Sequence, residues 1–281
     1  MLKKRATRKL THIWARLRPS YRQNGVTIPA DEGNIPLYFW EPTWKASLIS
    51  RFLASSPGVF VDVGANVGQT LLDYCASPSR SGYLGFEPNP ACAARLGEII
   101  KASALEDCSV VPAALAGATG IIQLHLSGDA QTDTCATHVG DLRPEPGLEA
   151  INIAAYRFDD IAETLLRGRP ISLVKIDVER GELDVLRGME HLMLERRTPI
   201  MCEVLHHHDP GTREASVKHH RALVDLIRSR RYCIFRIDKT QHEGELAGFT
   251  RVEAFPDEVW GDDNQHLCDY LLLPEEAGPP S

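Results

Sequence analysis

The sequence predicts an α/β protein, a Rossmann-like, mostly parallel sheet with helices on both faces and an N-terminal extension. Three observations carry this. Short apolar runs bounded by glycine or proline recur at 59–63, 82–86, 109–111, 171–176 and 200–204. Helical stretches of roughly 10–15 residues fall between most of them, the spacing of βαβ units around a parallel sheet. The length of 281 residues, 43% hydrophobic, supports a single large core, and no linker divides it.

Taken in order, residues 1–18 are a basic arm. Leu10, Ile13, Trp14 and Leu17 fall at i, i+3, i+4, i+7 among Lys and Arg, the pattern of an interfacial helix. Residues 19–45 are expected to be irregular, punctuated by Pro and Gly, with Tyr38-Phe39-Trp40 as a short strand. Residues 43–55 read as a helix capped by Thr43, with Trp44, Leu48 and Phe52 on one face. The alternation then runs strand 59–63, helix 67–77, strand 82–86, helix 90–101, strand 109–111. Segments 121–126 and 149–155 read as a hairpin around the Thr-, Asp-, Gly- and Pro-rich segment 127–148, a candidate substrate loop that includes Asp133 and His138. Strand 171–176, helix 182–195, strand 200–204 and helix 212–230 follow, and 232–235 and 270–273 close the sheet. The expected division is therefore arm and extension 1–42, one domain 43–274, and tail 275–281.

Charge and cysteine content narrow the class. Eight of the 31 basic residues lie in the first 30 positions, which hold no acid, so the remaining 251 residues carry a net −15. An acidic body does not wrap nucleic acid; only the arm could attract an anionic surface, so residues 1–18 offer a peripheral membrane contact. Seven cysteines, an odd number without C-x-x-C, exclude a disulfide framework or zinc knuckle. With no signal-peptide core and no apolar stretch long enough to span a bilayer, the expectation is a soluble, cytoplasmic protein.

The most informative segment is Asp62-Val63-Gly64-Ala65-Asn66-Val67-Gly68, which leaves a buried strand and enters a helix. Glycines there let a backbone approach a ligand at the carboxyl end of the sheet. A dinucleotide fingerprint needs a second glycine where Asn66 stands, and a P-loop needs G-K-[ST], which is absent. Glu87 ends the second strand, where an acid accepts ribose hydroxyls. A glycine turn, no phosphate grip and a ribose-binding acid suit a phosphate-free nucleoside such as S-adenosylmethionine.

Together with Gly85-Phe86-Glu87-Pro88-Asn89-Pro90 and Val174-Lys175-Ile176-Asp177-Val178-Glu179, this segment resembles the FkbM family of S-adenosylmethionine-dependent methyltransferases. The likeness covers about residues 57–205. It implies a seven-stranded sheet of order 3-2-1-4-5-7-6 and methyl transfer to a hydroxyl of a sugar, glycan or secondary metabolite. Carried over by position, it implies that Asp62, Gly64, Ala65 and Asn66 line the methionine part of the cofactor, that Gly68 belongs to the same cofactor-binding turn, that Glu87 holds the ribose, and that Ala114, within Ala113-Ala114-Leu115, borders the adenine. Arg180 departs from the family, which usually has Gly at that turn.

The acceptor's proton needs a destination. Lys175 and Asp177 share one face of a strand, and a buried Lys requires a partner; Asp62, Asp177 and Glu203 are the candidates. Asp177 is expected in the site, touching cofactor or acceptor. In Glu203-Val204-Leu205-His206-His207-His208-Asp209, His206 is the first choice of base and His208 the second. The alternative, a divalent ion on Asp177, Glu203 and one His, lacks tight ligand spacing, so no metal is expected. Rival readings are an N-methyltransferase, against which stands the absence of an Asn/Asp-Pro-Pro-Tyr motif, and a non-catalytic methyltransferase-like binding protein. Oligomeric state is open.

Overall fold

The computed structural model describes residues 20–31, 34, 37–38, 40–41, 43–126, 149–240 and 244–280. The interfacial helix expected in residues 1–18 and the loop expected at 127–148 lie outside the described residues.

Within the stretch expected to be irregular, Ser20–Gln23 (β1) and Val26–Pro29 (β2) form an antiparallel hairpin. Its turn is Asn24-Gly25, both with positive φ, an Asn-Gly hairpin signal present in the sequence. Tyr38 and Trp40 do not form the expected strand: Tyr38 lies in a tight turn, where its hydroxyl donates to Pro29 O (3.1 Å) and accepts from Asp31 N–H (3.1 Å). Helix α1 (Trp44–Ser55) is capped as expected, Thr43 Oγ1 accepting from Lys45 N–H.

The main sheet then assembles. Val59–Val63 (β3), Tyr83–Phe86 (β4) and Cys108–Val111 (β5) alternate with Gln69–Ala76 (α2) and Pro90–Ala102 (α3). Ala114–Leu115 (β6), Gly120–Leu126 (β7) and Glu149–Tyr156 (β8) form a separate small sheet in which β7 and β8 make the expected antiparallel pair. Phe158–Leu166 (α4), Ile171–Ile176 (β9), Glu182–Gly188 (α5), Ile200–Glu203 (β10), Arg213–Ser229 (α6), Tyr232–Lys239 (β11), Leu246–Val252 (β12) and Asp269–Pro274 (β13) complete it. The helix expected over 182–195 is interrupted at Met189: Glu182–Gly188 is α-helical, residues 190–191 resume the helix, and a wider turn, Leu192–Arg196, follows.

The strand order is β12-β11-β13-β10-β9-β3-β4-β5. From β5 to β10 the pairs are parallel, and β13 inserts antiparallel between β10 and β11. Numbering these main-sheet strands in chain order without β12 gives 3-2-1-4-5-7-6; the eighth strand, β12, pairs on the outer edge of β11. Each face of the sheet has its own core. Val59, Val61 and Val63 pack with α4, α5 and α6, while Phe60 packs with α1, α2 and α3. Among the described residues no helix is long and apolar enough to cross a membrane.

Candidate active site

The turn after β3 is fixed by its neighbour strand. Gly64 has φ +79°, and a Cβ there would lie 1.8 Å from the carbonyl oxygen of Asp177. The sequence reading has glycine admit a ligand; at Gly64 it first admits the end of β9. Asn66 follows in the left-handed region, its Oδ1 accepting from Val67 N–H (2.8 Å). Gly68 (φ +106°) starts α2. Glu87, at the end of β4, ties this turn to the next one: Oε2 accepts from Asn66 N–H (2.7 Å) and Oε1 from Asn89 N–H (2.8 Å). Burial raises its carboxyl to about 7 despite those two amides.

Beyond β3 the same edge of the sheet carries a row of charges. Lys175 Nζ, on β9, lies 3.1 Å from Asp62 Oδ1 and 3.2 Å from Asp177 Oδ2, and donates to Gly64 O (3.1 Å). Asp62 is fully buried and also accepts from Tyr83 Oη (2.6 Å). Burial alone would depress the Lys175 ammonium, but Asp177 and Asp62 outweigh it and hold it above its ordinary value. Burial would likewise raise Asp177, yet Lys175 and Lys45 pull it down to about 2. Glu203, at the end of β10, goes the other way. Burial, and then the negative charges of Asp177 and Asp269, push it well above the usual carboxyl range, and it is hydrogen-bonded to Asp177. The two carboxyls thus share a proton, which Glu203 holds and Asp177 accepts. Asp269, opposite Glu203 on β13, pairs with Lys239 (2.6 Å).

A cavity of about 1040 Å³, counting its open mouth, runs along this edge. Its walls include Gly64, Ala65 and Asn66 from the β3 turn, Glu87 and Pro88 after β4, and Asp177, Val178 and Glu179 after β9. Ala113, Ala114, Leu115, Ile122 and Leu124 form an apolar wall, and Trp40, Lys45, Gln69, Thr70 and Lys175 are also among the lining residues. The structure therefore brings Gly64, Ala65, Asn66, Glu87, Ala114 and Asp177 to one cavity. Asp62 and Gly68 lie behind the wall, as supports of the turn. Sequence reasoning misses Trp40, Lys45, Gln69 and Thr70; only their place in the fold brings them there.

The histidines lie elsewhere. His206 is 1% exposed and off the cavity wall, with a buried ring nitrogen, Nε2, that has no hydrogen-bond partner among the described residues; burial lowers its pKa. His207 is held by Asp257 (2.6 Å), and His208 is exposed. Glu203 reaches the cavity only through Asp177. Arg180, where the family usually has Gly, keeps a left-handed backbone (φ +79°). Its buried guanidinium donates to Ser216 Oγ (3.1 Å) and to the carbonyl of His206, so it fastens the turn after β9 to α6 and to the chain leaving β10. Among the described residues no group of three or more His, Cys, Asp or Glu is arranged to hold a metal ion.

No curated protein matches the chain. Among solved structures it is similar to the methyltransferase FkbM of Methylobacillus flagellatus, at 14% identity and a TM-score of 0.45 over 77% of this chain and 43% of that one. The chain thus spans less than half the length of that protein. It is also similar to cofactor-bound Rv0187 from MTB (14%, TM-score 0.44, 82% and 79% covered) and to SMU.1697c of Streptococcus mutans in complex with SAH (8%, 0.38, 83% and 96%). The family model described as the methyltransferase FkbM domain matches residues 62–237, from the acid of the first turn to β11. That match spans more than half of the sequence, and the chain belongs to the FkbM family of S-adenosylmethionine-dependent methyltransferases.

Proposed function

We propose that the chain methylates a hydroxyl of a glycan or small-molecule metabolite, in the cavity at the carboxyl ends of β4, β3 and β9. The observation that carries this is a single cavity walled at once by Glu87 and by the ionised Asp177.

The residues fit a phosphate-free nucleoside. Each Glu87 oxygen takes one backbone amide, which leaves lone pairs for two neighbouring ribose hydroxyls. Ala113, Ala114 and Leu115 offer an apolar wall to a base, and among the described residues no arginine lines the cavity to grip a phosphate. When bound, S-adenosylmethionine supplies a methyl group on a sulfonium, open to in-line displacement.

The protein's own contribution is positioning and charge. Asp177 stays ionised at every physiological pH and accepts a hydrogen bond from the acceptor hydroxyl, which aims an oxygen lone pair at the methyl group. As that oxygen bonds carbon it becomes positive, and the fixed negative charge of Asp177 stabilises it. The proton, by then strongly acidic, leaves through Asp177 to water. Glu203 keeps Asp177 oriented by donating its own proton in a hydrogen bond. This division assigns the proton's path to Asp177 instead of to His206 or His208. The turn after β9 lacks the Asn/Asp-Pro-Pro-Tyr pattern that serves amines, which favours oxygen over nitrogen acceptors. Residues 1–18 are read as a contact with anionic lipid that would bring a membrane-linked glycan within reach.

Calorimetry with S-adenosylmethionine followed by a labelled-methyl screen over glycans and metabolites tests the proposal. Absence of cofactor binding refutes it, and label found on amines alone refutes the hydroxyl assignment. Liposome binding unchanged on deletion of residues 1–18 refutes the lipid contact.

A further inference from the structure

We infer that Lys45 is the carboxylate-binding cation of the cavity and takes the amino-acid carboxylate of the cofactor. The inference rests on the cofactor reading above and deepens it.

Two lysines are among the residues that line the cavity, Lys45 and Lys175. Lys175 is spent on Asp62, Asp177 and the carbonyl of Gly64. Lys45 forms no ion pair with any carboxylate among the described residues; its ammonium lies 5.5 Å from the centre of the Trp44 ring. The acids that surround it are committed elsewhere, Asp177 to Lys175, Asp269 to Lys239, and Glu203 to Asp177. Asp73, packed near it, takes hydrogen bonds from Thr43 N–H (2.9 Å) and Thr43 Oγ1 (3.2 Å). Asp269 and Asp177 lead the attraction that outweighs burial and keeps Lys45 charged. A half-buried ammonium on a cavity wall, with no direct ion-pair partner among the described residues, is matched by an anionic ligand group.

Its place is held firmly. Both bonds from Thr43, the cap of α1, go to Asp73 of α2, so the first turn of α1 is fastened to α2. The first residues of α2, Gln69 and Thr70, line the same cavity as Lys45. The charged groups that act most on Lys45 lie on or just after β9, β10 and β13, whereas Glu87 follows β4 on the far side of β3. With strands about 4.8 Å apart, Glu87 and Asp177 stand about 10 Å apart across the sheet. A nucleoside held at Glu87, its base against the apolar wall that follows β5, therefore extends its amino-acid tail along the Gly64–Thr70 turn toward Lys45. A carboxylate on the acceptor has the same chemistry. The cofactor's is favoured because Lys45 lines the same cavity as the turn that cradles the nucleoside, on a helix fastened through Thr43 to the one that this turn leads into.

The experiment titrates S-adenosylhomocysteine and 5′-methylthioadenosine, which keeps the nucleoside and thioether but lacks the amino acid, into the full-length protein, Lys45→Met and Lys45→Arg. Loss of a charge-assisted contact should weaken S-adenosylhomocysteine about 10- to 100-fold in Lys45→Met and leave 5′-methylthioadenosine unchanged. Lys45→Arg should recover most of the loss. Unchanged S-adenosylhomocysteine affinity in Lys45→Met overturns the inference and turns the ammonium toward an acceptor carboxylate. An equal loss for both ligands also overturns it, by showing a structural role alone. If the unaltered protein binds neither ligand, the cofactor reading itself has failed, a result distinct from failure of the Lys45 assignment.

Discussion

On the β3–β4 side of the cavity, the turn and the ribose-side contacts come largely from residues 62–89, a single βαβ unit whose turns are laced together by Glu87. On the β9–β10–β13 side, the charges come from Lys45, Lys175, Asp177, Glu203, Lys239 and Asp269, spread over most of the chain. The first side works by shape, through positive-φ turns and backbone amides. The second works by charge balance among buried groups, where each carboxyl's protonation depends on its neighbours. A local motif can carry the first; only the topology that inserts β13 beside β10 assembles the second.

The largest expected effect breaks the link between the two sides. Gly64→Ala drives a methyl group into Asp177 O and holds alanine at φ +79°. Chemical denaturation should show a loss of about 3 kcal/mol or more, with cofactor binding abolished. Near-wild-type stability would mean that the β3 and β9 ends are not tightly joined.

Next, Asp177→Asn removes the ionised acceptor on the charge-balanced side and should lower kcat by about 100-fold or more. The same substitution should move cofactor affinity much less, which separates it from changes at Glu87. An unchanged kcat would take Asp177 out of the chemistry.

Third, pH separates the sides. Glu87, raised to about 7, binds its proton more tightly folded than unfolded, so its contribution to apo-protein stability is present below about pH 4.5 and lost as pH rises through 7. Cofactor binding runs the opposite way, because ionised Glu87 is the better acceptor for ribose hydroxyls. Affinity should rise several-fold between pH 6 and 8 and level off above, and Glu87→Gln should bind more weakly with a flat profile. A flat profile in the unaltered protein removes Glu87 from the ribose. Asp177, near 2, contributes no inflection in this range.

A smaller effect is expected from Glu203→Gln, since an amide N–H replaces the donated proton: less than a tenfold fall in kcat, with Glu203→Ala worse. If the two variants fall equally, the carboxyl pair is not held by a donated proton. Smallest of all, His208→Ala should leave turnover unchanged, because the residue is exposed and off the cavity wall. A large loss would return the base to the histidine loop.

Much of this is legible in the sequence. The strands at 59–63, 82–86, 171–176 and 200–204 are short apolar runs with glycine or proline punctuation, and burial on both faces of a parallel sheet requires that pattern, whereas 109–111 lies at the sheet's edge and is only partly buried. The hairpin at Ser20–Pro29 carries its Asn-Gly signal, yet the segment reads as irregular because the proline-rich context outweighs two turn residues. The apolar spacing after β9 continues past Gly188 and predicts one continuous helix, where the chain is interrupted at Met189 and widens at Leu192–Arg196. His206 draws attention as an imidazole at a strand's end. Its burial depends on α6 and on the Glu258–Asn264 region, which no local pattern reports.

By itself the sequence determined the class of fold, the order of its parallel strands through the family resemblance, and a Gly-Ala-Asn turn with an acid one strand away, suited to a nucleoside without phosphates. These follow from short-range periodicity and from residues that a turn must contain. The tertiary structure alone decided which charges meet. It paired Lys175 with Asp62 and Asp177, gave Glu203 the proton, buried His206, and set Lys45 on the cavity wall with no carboxylate partner among the described residues. The physical reason is that ionisation and ligand affinity depend on distance and desolvation in three dimensions, and residues 45, 177, 203 and 269 become neighbours only when the sheet closes.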